Sequence, residues 1–173
     1  MSNAPKVSIL MGSASDLPVM AEAGKILNKY EVPFELAVTS AHRSPERTLT
    51  IVREAVEKGV QVFIVGAGMA AHLAGVVAAH TTRPVLGVPM EGKLAGGLDA
   101  MLSTVQMPRG VPVGTLALGK SGAVNAAILA CQIMALSDSS LAKRLEANKV
   151  EMADAVAASD EGAQADLPGI LGA

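Results

Sequence analysis

Aromatic residues are nearly missing from this chain of 173, which has no Trp, one Tyr and two Phe. Half of the residues are nevertheless apolar, so the core has to be made of Ala, Val, Leu, Ile and Met packed closely. Charge is scarce as well. Asp, Glu, Lys and Arg make up 17% of the chain, against about 25% in an ordinary soluble domain. A surface with so little charge points to burial against other subunits. A single cysteine, Cys131, excludes an intrachain disulfide framework. With only three His beside it, and no HxH, HExxH or CxxC spacing, no metal site is expected.

The 14 basic and 16 acidic residues leave a net charge of −2. The basic ones are scattered rather than clustered, which argues against a nucleic-acid partner. Met1 to Lys6 contains no apolar signal segment, so a cytoplasmic enzyme is expected. Gly59 to Thr82 runs 24 residues without Asp, Glu, Lys or Arg, long enough to suggest a membrane span. It divides instead into a β-rich run, Val60–Val65, and a Gly/Ala-rich turn and helix from Gly66, so no membrane span is expected.

Strand and helix signals alternate five times. The strand candidates are Lys6–Met11, Pro33–Val38, Val60–Val65, Pro84–Val88 and Pro112–Leu118. They are short and apolar without alternation, as parallel strands covered on both faces are. Between and after them lie helix candidates at Pro18–Tyr30, Pro45–Lys58, Ala70–His80, Gly97–Thr104 and Ser121–Leu136. A sixth helix is expected over Ser140–Ala158. Such repeated units predict an α/β fold, a three-layer sandwich on a five-stranded parallel sheet. Ser44-Pro45 reads as an N-cap and first helical residue, and Lys58-Gly59 as the same helix's end. One domain is expected over 1–158, with Ser159 to Ala173 a loosely held tail. The fifth helix has no charged residue between Lys120 and Asp138, where an outward helix of a monomer shows a polar stripe. A homo-oligomer is therefore expected.

In an open parallel sheet, ligands sit outside the carboxyl ends of the strands. The loop after strand one is Gly12-Ser13-Ala14-Ser15-Asp16. Hydroxyls and free N–H groups at a helix start suit a phosphate, and Asp16 suits sugar hydroxyls, so a phosphorylated sugar is one reading and a capped turn the other. The loop after strand two carries Ser40, His42 and Arg43. Imidazole trades protons near neutral pH and guanidinium offers a fixed fork for phosphate. The alternative is a solvated loop histidine. The loop after strand three, Gly66 to His72, brings small side chains that admit a ligand close to the backbone, and a second histidine. His80 lies away from the strand ends and reads as a capping or surface residue.

Two motif matches mislead. Gly66-x-Gly68-x-x-Ala71 fits the dinucleotide fingerprint but stands on the third unit rather than the first. Gly114 to Ser121 fits the phosphate-loop pattern, but Thr115–Leu118 reads as strand, and Gly119 onward as the start of a helix. Neither NAD nor ATP is expected. The residues alone give a phosphorylated small molecule and a histidine proton carrier, with no cofactor.

Taken in order, the motifs Met11–Asp16, Ser40–Arg43, Gly66–Gly68 with Ala70–Leu73, Leu86–Pro89, Gly97–Asp99 and Ser103–Pro108 closely resemble the N5-carboxyaminoimidazole ribonucleotide mutases of de novo purine biosynthesis. The resemblance runs from Val7 to about Lys149. It implies a flavodoxin-like domain in an octamer, which moves a carboxylate from the exocyclic nitrogen to ring carbon C4 without ATP or metal. It further implies Ser13, Ser15 and Arg43 on the 5′-phosphate, Asp16 on the ribose, and Ser40 with Gly68, Ala70, His72 and Leu73 around base and carboxylate. His42 is then the catalytic acid and base. A sister class that carboxylates aminoimidazole ribonucleotide directly tends to carry Lys where this chain has Arg43. The mutases usually read His-Leu-Pro-Gly-Met where this chain has His72-Leu73-Ala74-Gly75-Val76, and losing Pro is expected to loosen that loop. Direct carboxylation and a non-catalytic nucleotide-binding module are the rival functions.

Overall fold

A computed structural model of the chain describes residues 4–172. Two compact units divide at Met134 and Ala135. The first holds a five-stranded sheet in the order β2-β1-β3-β4-β5, every pairing parallel. Its strands are β1 (Val7–Met11), β2 (Phe34–Val38), β3 (Val62–Ala67), β4 (Val85–Pro89) and β5 (Gly114–Thr115). The helices are α1 (Leu17–Lys29), α2 (Pro45–Glu57), α3 (Leu73–Ala79), α4 (Leu98–Val105) and α5 (Gly119–Ala135). The expected flavodoxin-like three-layer architecture is what the chain adopts.

β1, β3 and β4 are buried along their whole length, which is why they read as unbroken apolar runs. Their side chains alternate between two cores. On one face Leu10, Phe63, Val65 and Ala67 pack with Val52 and Ala55 of α2, Leu73, Ala74 and Val77 of α3, and Ala100 of α4. On the other, Gly66 meets Met20 of α1, and Val88 lies against Gly122 of α5. Gly66 and Val88 are register partners, so α1 and α5 share that face.

The strands depart from expectation at both edges. β2 leaves Leu36 and Val38 about two-fifths exposed, because an edge strand has a neighbour on one side only. β5 shrinks from the expected Pro112–Leu118 to two residues. Only Leu116 extends the pairing, its N–H donating to Gly87 O at 2.9 Å. The chain then turns at Gly119 (φ +63°) into α5, whose Gly122 abuts the Ala117 carbonyl. Gly59 is left-handed at φ +96°, as the end of α2 requires. Ser44 is the N-cap of α2 and Pro45 its first residue, as expected, but the Ser44 side chain caps no N–H of the helix because its hydroxyl turns back to Ser40. α3 begins at Leu73 rather than Ala70, and residue 74 is therefore a buried helical residue, not a loop residue. The position at which the mutases usually carry proline thus falls in a first helical turn, where proline is tolerated.

The second unit holds α6 (Ser139–Leu171). Asp138 caps its start, accepting from the N–H groups of Ser140 (3.0 Å) and Leu141 (2.9 Å). The helix passes its expected end at Ala158, and residues 149–172 are exposed throughout. Ala, Glu and Gln keep helical propensity without any core to cover, and Gly172 ends the run in the left-handed region.

Candidate active site

The strand order reverses at β1, so the loops after β1, β2 and β3 emerge side by side. Backbone bonds tie their roots together. Gly12 N–H donates to Gly66 O at 3.1 Å, and Thr39 N–H to Met11 O at 2.9 Å.

The first loop folds as a single 3₁₀ turn over Ala14–Asp16, with Ser13 as its extended N-cap. Ser13 Oγ accepts from Ser15 N–H at 3.2 Å and from the Ser15 hydroxyl at 2.8 Å, which leaves its own proton to donate. Asp16 stands at the turn's end, with Oδ1 3.4 Å from Ser15 Oγ. Burial raises its carboxyl above the usual 3.8, opposed by hydrogen bonds from Ser13 and Ser15. The loop therefore pairs hydroxyl donors with a partly desolvated acceptor.

The second loop swings Arg43 back across the first. A guanidinium nitrogen donates to Gly12 O at 3.1 Å, while Arg43 N–H is held by Ser40 Oγ at 3.2 Å. One donor is thus spent on joining two loops, and the remaining guanidinium donors stay available beside Ser13 and Ser15.

The third loop brings His72 to His42. His42 Nε2 and His72 Nδ1 lie 2.8 Å apart, with the rings edge to face at 81° and their centroids 4.9 Å apart. Such a contact needs one proton between the two nitrogens, so one ring donates and the other accepts. Both rings are exposed. Met69, just before, takes φ +57° with its side chain largely in solvent.

Of the expected site residues, Ser13, Ser15, Asp16, Ser40, His42, Arg43, Gly68, Ala70 and His72 lie on these three adjoining loops. Leu73 does not present its side chain there, being buried in the core beneath α3. His80 caps the far end of α3, exposed, as expected. Two features escaped the sequence reading. One is the direct contact of two histidines 30 positions apart. The other is a groove of about 480 Å³ that His72 borders together with Gly75, Val76, Ser103, Gln106 and Met107. The run Ser103–Pro108, which supplies Ser103, Gln106 and Met107 to its lining, is the signal for it in the sequence.

Comparison with known proteins agrees with this architecture. Residues 6–155 match the family described as AIR carboxylase. The N5-carboxyaminoimidazole ribonucleotide mutase of Pyrococcus abyssi is 51% identical over 148 residues, 86% of this chain and 84% of that one. The protein of the same name from Vibrio parahaemolyticus is 46% identical, over 92% of this chain and 99% of that one. The crystal structure of Treponema denticola PurE superposes with a TM-score of 0.84 at 24% identity, covering 91% of this chain and 98% of that chain.

Proposed function

This chain belongs to the AIR carboxylase family, and we propose that His42, seated against His72, carries the proton of its reaction. The activity is that of an N5-carboxyaminoimidazole ribonucleotide mutase, converting N5-carboxyaminoimidazole ribonucleotide to 4-carboxyaminoimidazole ribonucleotide in purine biosynthesis. The observation that carries the assignment of His42 is its 2.8 Å contact with His72, beside the loop of Ser13, Ser15 and Arg43.

In this reading the 5′-phosphate takes the hydroxyls of Ser13 and Ser15 and the unused guanidinium donors of Arg43. Asp16 accepts from the ribose hydroxyls. His42 gives a proton to the carbamate nitrogen, the N–C bond breaks, and CO2 and aminoimidazole ribonucleotide form. C4 then attacks CO2, and His42, now neutral, removes the proton left on C4. One imidazole thus serves both steps and ends as it began. His72 holds the shared proton against His42 and keeps that ring turned toward the substrate. Ser40, Gly68 and Ala70 wall the space in which CO2 is retained, with Leu73 supplying packing from below.

The assembly belongs to the same reading: a homo-octamer in the cytoplasm. Leu98, Leu102 and Val105 make an apolar stripe along α4 at helical spacing, each about half exposed, and Leu36 and Val38 add apolar surface on β2. α5 offers Val124, Ile128, Leu129 and Ile133 half-buried with no charge among them. A second copy of the chain suits such faces. Among the described residues no helix is long and apolar enough to cross a membrane.

The test is carboxylate partition without ATP or metal. N5-carboxyaminoimidazole ribonucleotide labelled with 13C in its carboxylate is supplied in a large excess of unlabelled bicarbonate. Label retained at C4, and lost turnover with retained ligand binding in His42→Asn, are the expected results. Unlabelled product, or an active His42→Asn protein, overturns the reading.

A further inference from the structure

The loop that carries Ser40, His42 and Arg43 is closed at its base by two hydroxyls with no role in the mechanism above. Thr39 follows β2 and Thr48 lies in the first turn of α2, and their Oγ1 atoms are 2.8 Å apart. They are 3% and 0% exposed. Thr48 donates to Ser44 O at 3.2 Å, and Thr39 Oγ1 faces both Thr48 Oγ1 and, at 3.4 Å, Ser44 Oγ. Ser44 donates to Ser40 O at 3.3 Å and accepts from Ser40 N–H at 3.0 Å, while Ser40 Oγ accepts from Arg43 N–H at 3.2 Å. A chain of side-chain bonds therefore runs from the buried pair to the backbone on either side of His42.

We propose that the Thr39–Thr48 pair is a positioning staple for the reaction: it fixes the two ends of the loop and thereby the placement of His42 against His72. Stability alone gives little reason for the pair. Replacing both partners of a buried hydrogen bond by apolar side chains of the same shape is close to neutral. Loss of one leaves the other partnered, Thr48 with Ser44 O at 3.2 Å and Thr39 with Ser44 Oγ at 3.4 Å. Thr48 shares its buried helix face with Val52 and Ala55, where valine fits equally well. The hydroxyls act instead on geometry, since small misplacements of reacting groups are costly to rate. The Ser44 carbonyl also accepts Thr48 N–H at 3.1 Å, so loss of both hydroxyls leaves it partnered.

The proposal rests on the assignment of His42 above, and the test separates the two. kcat, KM and melting temperature are measured for Thr39→Val, Thr48→Val, the double variant, Thr48→Ser and His42→Asn. Each remaining hydroxyl keeps a partner in Ser44, so the valine variants hold melting temperatures close to the parent's. kcat falls by about tenfold in the singles and stays down in the double, with KM little changed, while Thr48→Ser retains activity. A double variant whose kcat stays at the parent's level, or falls only as its melting temperature falls, makes the pair structural only and overturns the staple, with His42 still assigned. An active His42→Asn protein overturns the assignment itself, and the staple falls with it.

Discussion

Replacing Arg43 by Lys tests the phosphate subsite without changing its charge. The guanidinium has five N–H donors on a rigid plane, and one edge already reaches Gly12 O at 3.1 Å. A lysine ammonium is a point charge on a flexible stem, which cannot brace Gly12 and also offer a two-pronged face to a phosphate. The Coulomb attraction survives, and one charge-assisted hydrogen bond is lost. Such bonds contribute about 1.5–3 kcal/mol. Arg43 is exposed, so the lower end applies, and about 1.5 kcal/mol corresponds to roughly tenfold in Kd. Titration calorimetry with aminoimidazole ribonucleotide reads this directly. The ribonucleoside, without its 5′-phosphate, is the control and binds Arg43→Lys and the parent alike. A ribonucleotide Kd within about twofold of the parent's, or an equal loss for the nucleoside, refutes the phosphate contact.

Two glycines make a matched pair. A Cβ at Gly122 overlaps the Ala117 carbonyl, which is backbone, whereas one at Gly66 meets Met20 Sδ at 2.5 Å and Met90 Cε at 2.6 Å, both atoms of flexible side chains. Urea unfolding at fixed protein concentration is expected to show Gly122→Ala losing about 3 kcal/mol or more and Gly66→Ala about 1–2 kcal/mol; a reversed order counts against the packing described. Asp16→Asn is expected to stabilise the fold at neutral pH. Burial holds the carboxyl above its usual 3.8, so the folded state binds the proton more tightly than the unfolded one, and stability falls as pH rises through the raised value. Thermal melts should therefore show the variant ahead at about pH 7 and level with the parent below about pH 4. An advantage that does not change with pH contradicts burial as the cause.

The sheet was legible because burial on both faces leaves a plain mark: β1, β3 and β4 read as unbroken apolar runs and sit within two residues of their expected bounds. The edges were less legible for the same reason. β2 has one open side, and within Phe34–Val38 only Glu35 distinguishes an edge strand from a central one. In β5 the apolar run continues past Thr115, but the close approach of Gly122 to Ala117 bends the chain away from the sheet. α6 was cut short at Ala158 because its later residues have no apolar period, yet a period reports what a helix covers and not whether it forms. Serine before proline marks the N-cap position of α2 correctly, but the partner of its hydroxyl is Ser40, on the preceding turn, which no local pattern shows.

The candidate site was legible one loop at a time. Each loop has a composition suited to a ligand, but a histidine in a loop is ambiguous until something touches it. What resolves the ambiguity is strand order. His42 lies four positions past β2 and His72 five past β3. Their loops converge because β2 and β3 flank β1, whose own loop makes a short turn at Ala14–Asp16 and leaves the space between them open. Had β2 lain beyond β5 instead, two strands rather than one would separate these loops, and the reading as solvated histidines would hold. The 2.8 Å contact is thus a product of topology, which is why a substitution that shifts β2 by one register position should separate the rings while leaving every motif in place.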